Sequence, residues 1–159
     1  MSQRLPPAAY ALGLGGVVPF VACGIAAASP GTSPPIGLAA LVAYAAIILS
    51  FVGAVHWGFA LQRNDGSVAP KVGKRLLLGV LPSLAGWAAM LLQLSGLADL
   101  ALALLIASFI AVPVVEARGA ALDLLPAGYM ALRWGLTVLV VMTLTTVLVL
   151  RLLGASLTF

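Results

Sequence analysis

Five apolar stretches of membrane-spanning length follow one another along this chain. Each is apolar over roughly 20 residues, the length of a helix that crosses a hydrocarbon core of about 30 Å, and none shows the two-residue alternation of barrel strands. We expect the spans at about residues 8–28, 36–61, 76–94, 100–115 and 134–150. The pattern predicts an all-α integral membrane bundle of five transmembrane helices, with residues 1–159 forming a single domain.

The composition excludes a soluble protein. Hydrophobic residues make up 63% of the 159 residues and charged residues 8%, against roughly 45–50% and about 25% in soluble domains. The net charge of +4 does not indicate a nucleic-acid-binding protein, because the basic residues lie scattered at the span ends without interleaved aromatic residues. We therefore expect the lipid bilayer as the main partner, and no nucleic acid.

The basic residues predict the orientation of the chain. Four of them surround the loop between the second and third spans, namely Arg63, Lys71, Lys74 and Arg75. Positively charged loops stay in the cytoplasm, so the N-terminus is expected inside and the C-terminus outside. In this orientation Arg4, Arg118 and Arg133 also lie inside, and only Arg151 lies outside.

The first span has two interpretations. Ala26 and Ala28 before Ser29 resemble a signal-peptide cleavage site, whereas the length of the run and its glycines favour a retained, packed helix. Pro19 is expected to kink that helix, and a neighbouring helix would then satisfy the carbonyl group that the kink frees. We favour the retained span.

A row of small residues along the second span predicts close helix packing. At about 100° per residue, one face carries Ala39, Ala43, Ala46, Ser50, Gly53 and Ala54, with Trp57 at its end. Small residues at this spacing let a neighbouring helix approach. We assign packing and interfacial roles to Ser50, Gly53 and Trp57, and to Pro82 and Trp87 of the third span.

His56, the one histidine of the chain, is a candidate functional residue. It lies about 60° around the helix from Gly53, and ionisable groups within a span usually face the bundle interior. His56 would suit a proton relay, a metal or haem ligand, or a hydrogen bond to a quinone head group. The structural alternative is an interfacial histidine that hydrogen-bonds a backbone carbonyl of a kinked neighbouring helix or pairs with a loop carboxylate.

Ser83, Glu116 and Arg133 are expected at the same membrane depth as His56. Glu116 and Arg133 can form an ion pair that sets the charge of the histidine, so the four residues form a candidate polar cluster. The alternative is that Glu116 and Arg133 are ordinary interfacial residues, with Arg133 extending its side chain to the head groups.

The sequence indicates no enzyme, metal site or cofactor. One histidine, one cysteine and four carboxylates offer no hydrolase triad, zinc motif or phosphate-binding loop. Cys23 has no partner cysteine for an intramolecular disulfide, and the glycines at residues 13–16 lie within a span, where they suit helix packing. We therefore assign no catalytic residues, no metal ligands and no cofactor, and enzyme activity is not expected.

Four segments resemble the transmembrane protein 69-like family, a multi-span family of unknown function: GLGGVVPF at 13–20, ILSFVGAVHWG at 48–58, GVLPSLAGW at 79–87 and ALRWGLT at 131–137. The resemblance implies an integral inner-membrane protein with mitochondrial relatives and no established activity or cofactor. It also draws attention to His56, Trp57, Pro82, Trp87 and Arg133. Since the N-terminal residues do not form an Arg- and Ser-rich amphipathic leader, we expect a multi-pass protein of the bacterial inner membrane.

Three functions are compatible with these patterns. The first is an accessory or assembly factor for a larger membrane complex, because the spans carry a small-residue face and few residues lie outside them. The second is a small oligomeric transporter or proton-coupled channel that uses the His/Glu/Arg cluster. A quinone-binding or redox subunit ranks third, because the chain offers few further ligands.

Overall fold

The computed structural model describes residues 5–29, 34–61, 70–118 and 128–154. This part of the chain forms six helices: α1 (Pro7–Gly15), α2 (Val18–Ala28), α3 (Pro34–Leu61), α4 (Pro70–Leu94), α5 (Ala98–Arg118) and α6 (Tyr129–Leu152). Taking α1 and α2 together as one span, five helical segments of the described chain are long and apolar enough to cross a membrane. The predicted all-α bundle with five spans is confirmed.

The helices form a ring around an apolar centre. Going round it, α3 packs against α4, α4 against α5, α5 against α6, α6 against α2 and α2 against α3, while α3 and α5 also touch across the middle. The side chains that exclude all solvent are mostly leucines: Leu41, Leu49, Leu102, Leu105 and Leu144. The outer faces carry exposed apolar residues, as expected of a bundle whose solvent is lipid.

The first span is broken at Gly16 and Val17, between α1 and α2. Pro19 lies in the first turn of α2, where a helix does not need the N–H that proline lacks. The Tyr44 hydroxyl of α3 donates a hydrogen bond of 2.9 Å to the Gly16 carbonyl oxygen. The expected break and its support by a neighbouring helix are both seen, but the break precedes Pro19.

The small-residue row of α3 packs against α4. A Cβ atom added to Gly53 would collide with the carbonyl oxygen of Gly79, and one added to Gly86 would lie 3.0 Å from the Cα atom of Ala46. The two backbones therefore come close together at Ala46 and at Gly53, two members of this row. Gly53 therefore lies where α3 approaches α4 closely.

Helices α5 and α6 both extend past the predicted ends of the fourth and fifth spans. α5 continues to Arg118 and α6 begins at Tyr129, so Glu116 and Arg133 lie inside helices rather than at the span ends near residues 115 and 134. At the opposite end of the same two helices, Arg151 Nε lies 2.7 Å from Asp99 Oδ1. An ion pair thus joins α5 and α6 at each end.

Candidate functional site: a buried ion pair beside an apolar cavity

Glu116 and Arg133 form an ion pair inside the bundle. Arg133 Nε donates a hydrogen bond of 2.9 Å to Glu116 Oε2, and the two side chains are 11% and 7% exposed for Arg133 and Glu116 respectively. Removing one partner of such a buried pair leaves an uncompensated charge, which costs about 3–5 kcal/mol. The pairing that the sequence allowed is therefore present, and it explains why both helices continue through charged residues.

An apolar cavity of about 240 Å³ adjoins this ion pair. Residues from α1, α2, α3, α5 and α6 surround it, and among the described lining residues only Tyr129, Arg133 and Thr137 carry polar side chains. All three belong to α6. They follow one another at intervals of about one helical turn. Tyr129, Arg133 and Thr137 therefore form a polar strip on a cavity wall that is otherwise apolar.

Two polar atoms on this strip are buried without a hydrogen-bond partner among the described residues: Arg133 Nη2 and Thr137 Oγ1. Since residues four apart lie on the same helix face, both side chains share the cavity side of α6. A buried donor without an acceptor costs about 1–3 kcal/mol. The site thus offers two hydrogen-bond donors to a group with an acceptor atom.

Aromatic rings form the wall of the cavity at the centre of the bundle. The Phe20 ring packs edge-on against Tyr44, with ring centroids 5.0 Å apart, and against Phe109, with centroids 5.9 Å apart. Phe20 and Phe109 both line the cavity. These contacts fix the break in the first span against α3 and α5, and so fix the shape of the cavity.

The structure brings two of the four predicted cluster residues together. Ser83 lies on α4 and is not among the described residues that line the cavity beside Arg133. His56 belongs to α3, but its side chain lies outside the described part of the structure. A functional role for the cluster stays a prediction.

The other predicted residues lie in contacts within or between helices, or on the outer surface of the bundle. The Ser50 hydroxyl donates to the carbonyl oxygen of Ala46 at 2.9 Å, and Trp57 Nε1 donates to that of Leu76 at 3.1 Å. Pro82 is buried inside α4, and Trp87 points outward with 62% of its surface exposed. Trp57 therefore ties α3 to α4, whereas Trp87 faces the surroundings of the bundle.

No group of three or more His, Cys, Asp or Glu side chains that could hold a metal ion occurs among the residues with described positions. Cys23 is a free, partly buried thiol on α2. Glu116 of α5 is paired with Arg133, which lines the cavity. The chemistry that the described site offers is therefore hydrogen bonding and shape.

The model of a family of proteins of unknown function, DUF3429, matches residues 5–149. The chain belongs to the DUF3429 family. Transmembrane protein 69 of Xenopus tropicalis is 41% identical over 87 residues, which cover 55% of this chain and 33% of that relative. The match thus spans about a third of the length of the frog protein. No solved structure matches the chain.

The family match and the frog relative confirm the resemblance to a transmembrane protein 69-like family. Because the function of the family is unknown, the match assigns no activity to the chain. Within this DUF3429 member, sequence reasoning missed Thr137, Tyr44 and the Asp99–Arg151 pair. A helical wheel could have placed Thr137 one turn after Arg133 on the same face. The Asp99–Arg151 pair could have been expected from its position, since Asp99 lies in the first turn of α5 and Arg151 in the last turn of its neighbour α6.

Proposed function

We propose that this DUF3429 protein is an accessory or assembly factor of a larger membrane complex, and that it binds a partner helix on the outer face of α6. The supporting observation is Gly135, which is exposed and where an added Cβ atom would meet nothing within 4 Å. Ala131, one turn earlier, is exposed as well. Two small residues at this spacing let another membrane helix come close.

The internal packing of the chain supports this choice of face. Ala46 and Gly53 of the small-residue row of α3 already lie against α4, so these two positions do not offer an external partner the same close approach. Gly135 lies on the other side of the bundle, on a helix whose inner face packs against α5 and α2. A partner helix on α6 would therefore leave the described bundle unchanged.

Replacing Gly135 with leucine tests this surface. The tagged chain is extracted in a mild detergent and its complexes are separated by native electrophoresis. We expect the wild-type chain in a complex larger than itself and Gly135→Leu outside it, with both chains equally stable. Gly15→Leu is the matched control, because Gly15 is also exposed with open space around it. A wild-type chain that migrates alone, or a Gly135→Leu chain that stays in the complex, contradicts the proposal.

A small oligomeric transporter or proton-coupled channel is the second candidate. The observation that favours it is the low exposure of the Glu116–Arg133 pair, because ionisable groups within spans often mark ion pathways. Proton flux into proteoliposomes tests it, with His56→Ala and Glu116→Gln expected to abolish the flux and the surface variant Asp99→Asn expected to retain it. Flux equal to that of empty liposomes contradicts this candidate, and self-association through α6 would support it over the accessory role.

The proposed location is the bacterial inner membrane, with the N-terminus and the loop at residues 62–69 in the cytoplasm. The support comes from Arg63, Lys71, Lys74 and Arg75, which give this loop region the highest positive charge of the chain. In the proposed five-span topology the segments at 62–69 and 119–127 share the cytoplasmic side, so Arg118 and Arg133 add to the same positive bias.

A further inference from the structure

The cavity beside Arg133 is large enough for a small molecule. At about 240 Å³, it exceeds the cavities of about 150 Å³ that stay free of water and hold benzene when lined by apolar side chains. Its walls include Phe20, Phe109 and Val140, each less than 6% exposed. Such a space favours an apolar body over water.

The cavity is accessible from the side of the bundle. Leu12 of α1 and Phe51 of α3 both line it, and they are 78% and 69% exposed. The opening therefore lies between α1 and α3, on a surface that faces lipid in a five-span bundle. A lipophilic molecule dissolved in the bilayer can enter laterally without crossing a polar interface.

The polar strip determines which head group fits. Arg133 Nη2 and Thr137 Oγ1 are buried without a partner among the described residues, and Thr137 as a whole is 4% exposed. An oxygen acceptor placed between them would satisfy both. Because Arg133 is already paired with Glu116, a neutral carbonyl group fits the strip better than a carboxylate or a phosphate, which would bring a second negative charge close to Glu116 and lose its own hydration.

We propose that this cavity binds a neutral, carbonyl-bearing lipophile, with the apolar body against Phe20 and Phe109 and the carbonyl oxygen accepting from Arg133 and Thr137. A quinone and a neutral ester lipid both have this chemistry. The inference concerns the inner face of α6 and stands independently of the partner surface around Gly135 on its outer face.

Native mass spectrometry of the full chain in detergent tests the proposal. One arm adds decylubiquinone, a second adds dioleoylglycerol, and a third adds oleate as an anionic lipophile. We expect one bound molecule per chain for a neutral probe and weaker binding of oleate. Binding of decylubiquinone alone identifies a quinone, and binding of dioleoylglycerol alone identifies an ester lipid. Absence of both neutral probes, or oleate as the tightest ligand, overturns the proposal.

Variants of Thr137 connect this binding to the polar strip. Thr137→Val keeps the shape and removes the hydroxyl group, so we expect binding about three- to tenfold weaker, the usual effect of one lost hydrogen bond. Thr137→Ser should restore binding, and Thr145→Val, at an exposed position of the same helix, should leave it unchanged. Equal binding by Thr137→Val and Thr145→Val overturns the proposal.

A cavity-filling variant gives a second readout. Val55 lines the cavity, so Val55→Phe should reduce binding more than tenfold, whereas Val138→Phe at a 51% exposed position should not. If Val55→Phe does not fold, the comparison between Thr137 and Thr145 still decides the outcome.

Discussion

The Tyr44 hydroxyl reaches across 28 positions of sequence to the Gly16 carbonyl oxygen, at 2.9 Å, and the Tyr44 ring packs edge-on against Phe20. One side chain of α3 therefore contacts both the broken turn before α2 and the first core residue after it. The break in the first span is thus a fixed part of the bundle. Because Gly16 and Phe20 both line the cavity, this contact also holds one of the cavity walls in place.

We expect Tyr44→Phe to destabilise the protein by about 1 kcal/mol, the usual contribution of one intramolecular hydrogen bond. The variant keeps the aromatic packing with Phe20 and leaves the Gly16 carbonyl without this donor. Thermal unfolding in detergent measures the difference. Tyr10→Phe, at a position that is 42% exposed, is the matched control and should behave as the wild type. A melting temperature of Tyr44→Phe equal to that of Tyr10→Phe would argue against the role of this hydrogen bond.

Gly53→Ala should destabilise the contact between α3 and α4. The new methyl group would collide with the Gly79 carbonyl oxygen, and since that oxygen belongs to the backbone, the helices must move apart. Overpacking of this kind costs about 1–3 kcal/mol. Gly135→Ala is the matched control, because its methyl group meets no atom within 4 Å and alanine favours helix by up to about 1 kcal/mol. Urea or thermal unfolding should show a lower free energy of unfolding for Gly53→Ala and a higher one for Gly135→Ala, each relative to the wild type. A change of the same sign in both variants would contradict the close approach of α3 and α4.

Cysteine labelling tests the proposed orientation. In a Cys23→Ala background, Thr32→Cys and Ser67→Cys place one thiol in each of the first two connecting segments, both outside the described residues. A membrane-impermeant maleimide applied to intact cells should label Thr32→Cys and leave Ser67→Cys unlabelled, because the positively charged loop stays inside. Labelling of Ser67→Cys in intact cells, but not of Thr32→Cys, would show that the orientation is the opposite of the proposed one.

The apolar pattern predicted the number and kind of membrane spans because a membrane-spanning backbone must satisfy its hydrogen bonds within each helix. The ends of α5 and α6 were misplaced for a physical reason: a charge was taken as the end of a span, whereas Glu116 and Arg133 neutralise each other and allow both helices to continue. The position of a residue along its helix follows from the sequence, but which neighbour each helix face meets depends on how the helices pack. The sequence therefore could not show that Ser83 is absent from the described lining of the cavity beside Arg133.

The cavity was beyond sequence reasoning for a similar reason. It exists where the first span breaks and where five helical segments fail to fill the space between them, and no local pattern encodes that gap. Thr137 looked like an ordinary threonine of an apolar helix. Its importance comes from the burial of its hydroxyl group without a partner among the described residues, which depends on which neighbours α6 has.

Breaking the Glu116–Arg133 pair should have a larger effect than any of the changes above. Glu116→Gln removes the charge that compensates Arg133, and with the two side chains 7% and 11% exposed we expect a loss of about 3–5 kcal/mol. The double variant Glu116→Leu with Arg133→Met removes both charges and should recover most of the stability, because well-packed apolar residues can replace a buried pair at little cost. Asp99→Asn is the matched control at the other end of the same helices, where Asp99 is 46% exposed and such a pair contributes about 0–1 kcal/mol. Thermal unfolding of the four proteins measures these differences, and a Glu116→Gln variant as stable as Asp99→Asn would show that the pair is solvated rather than buried.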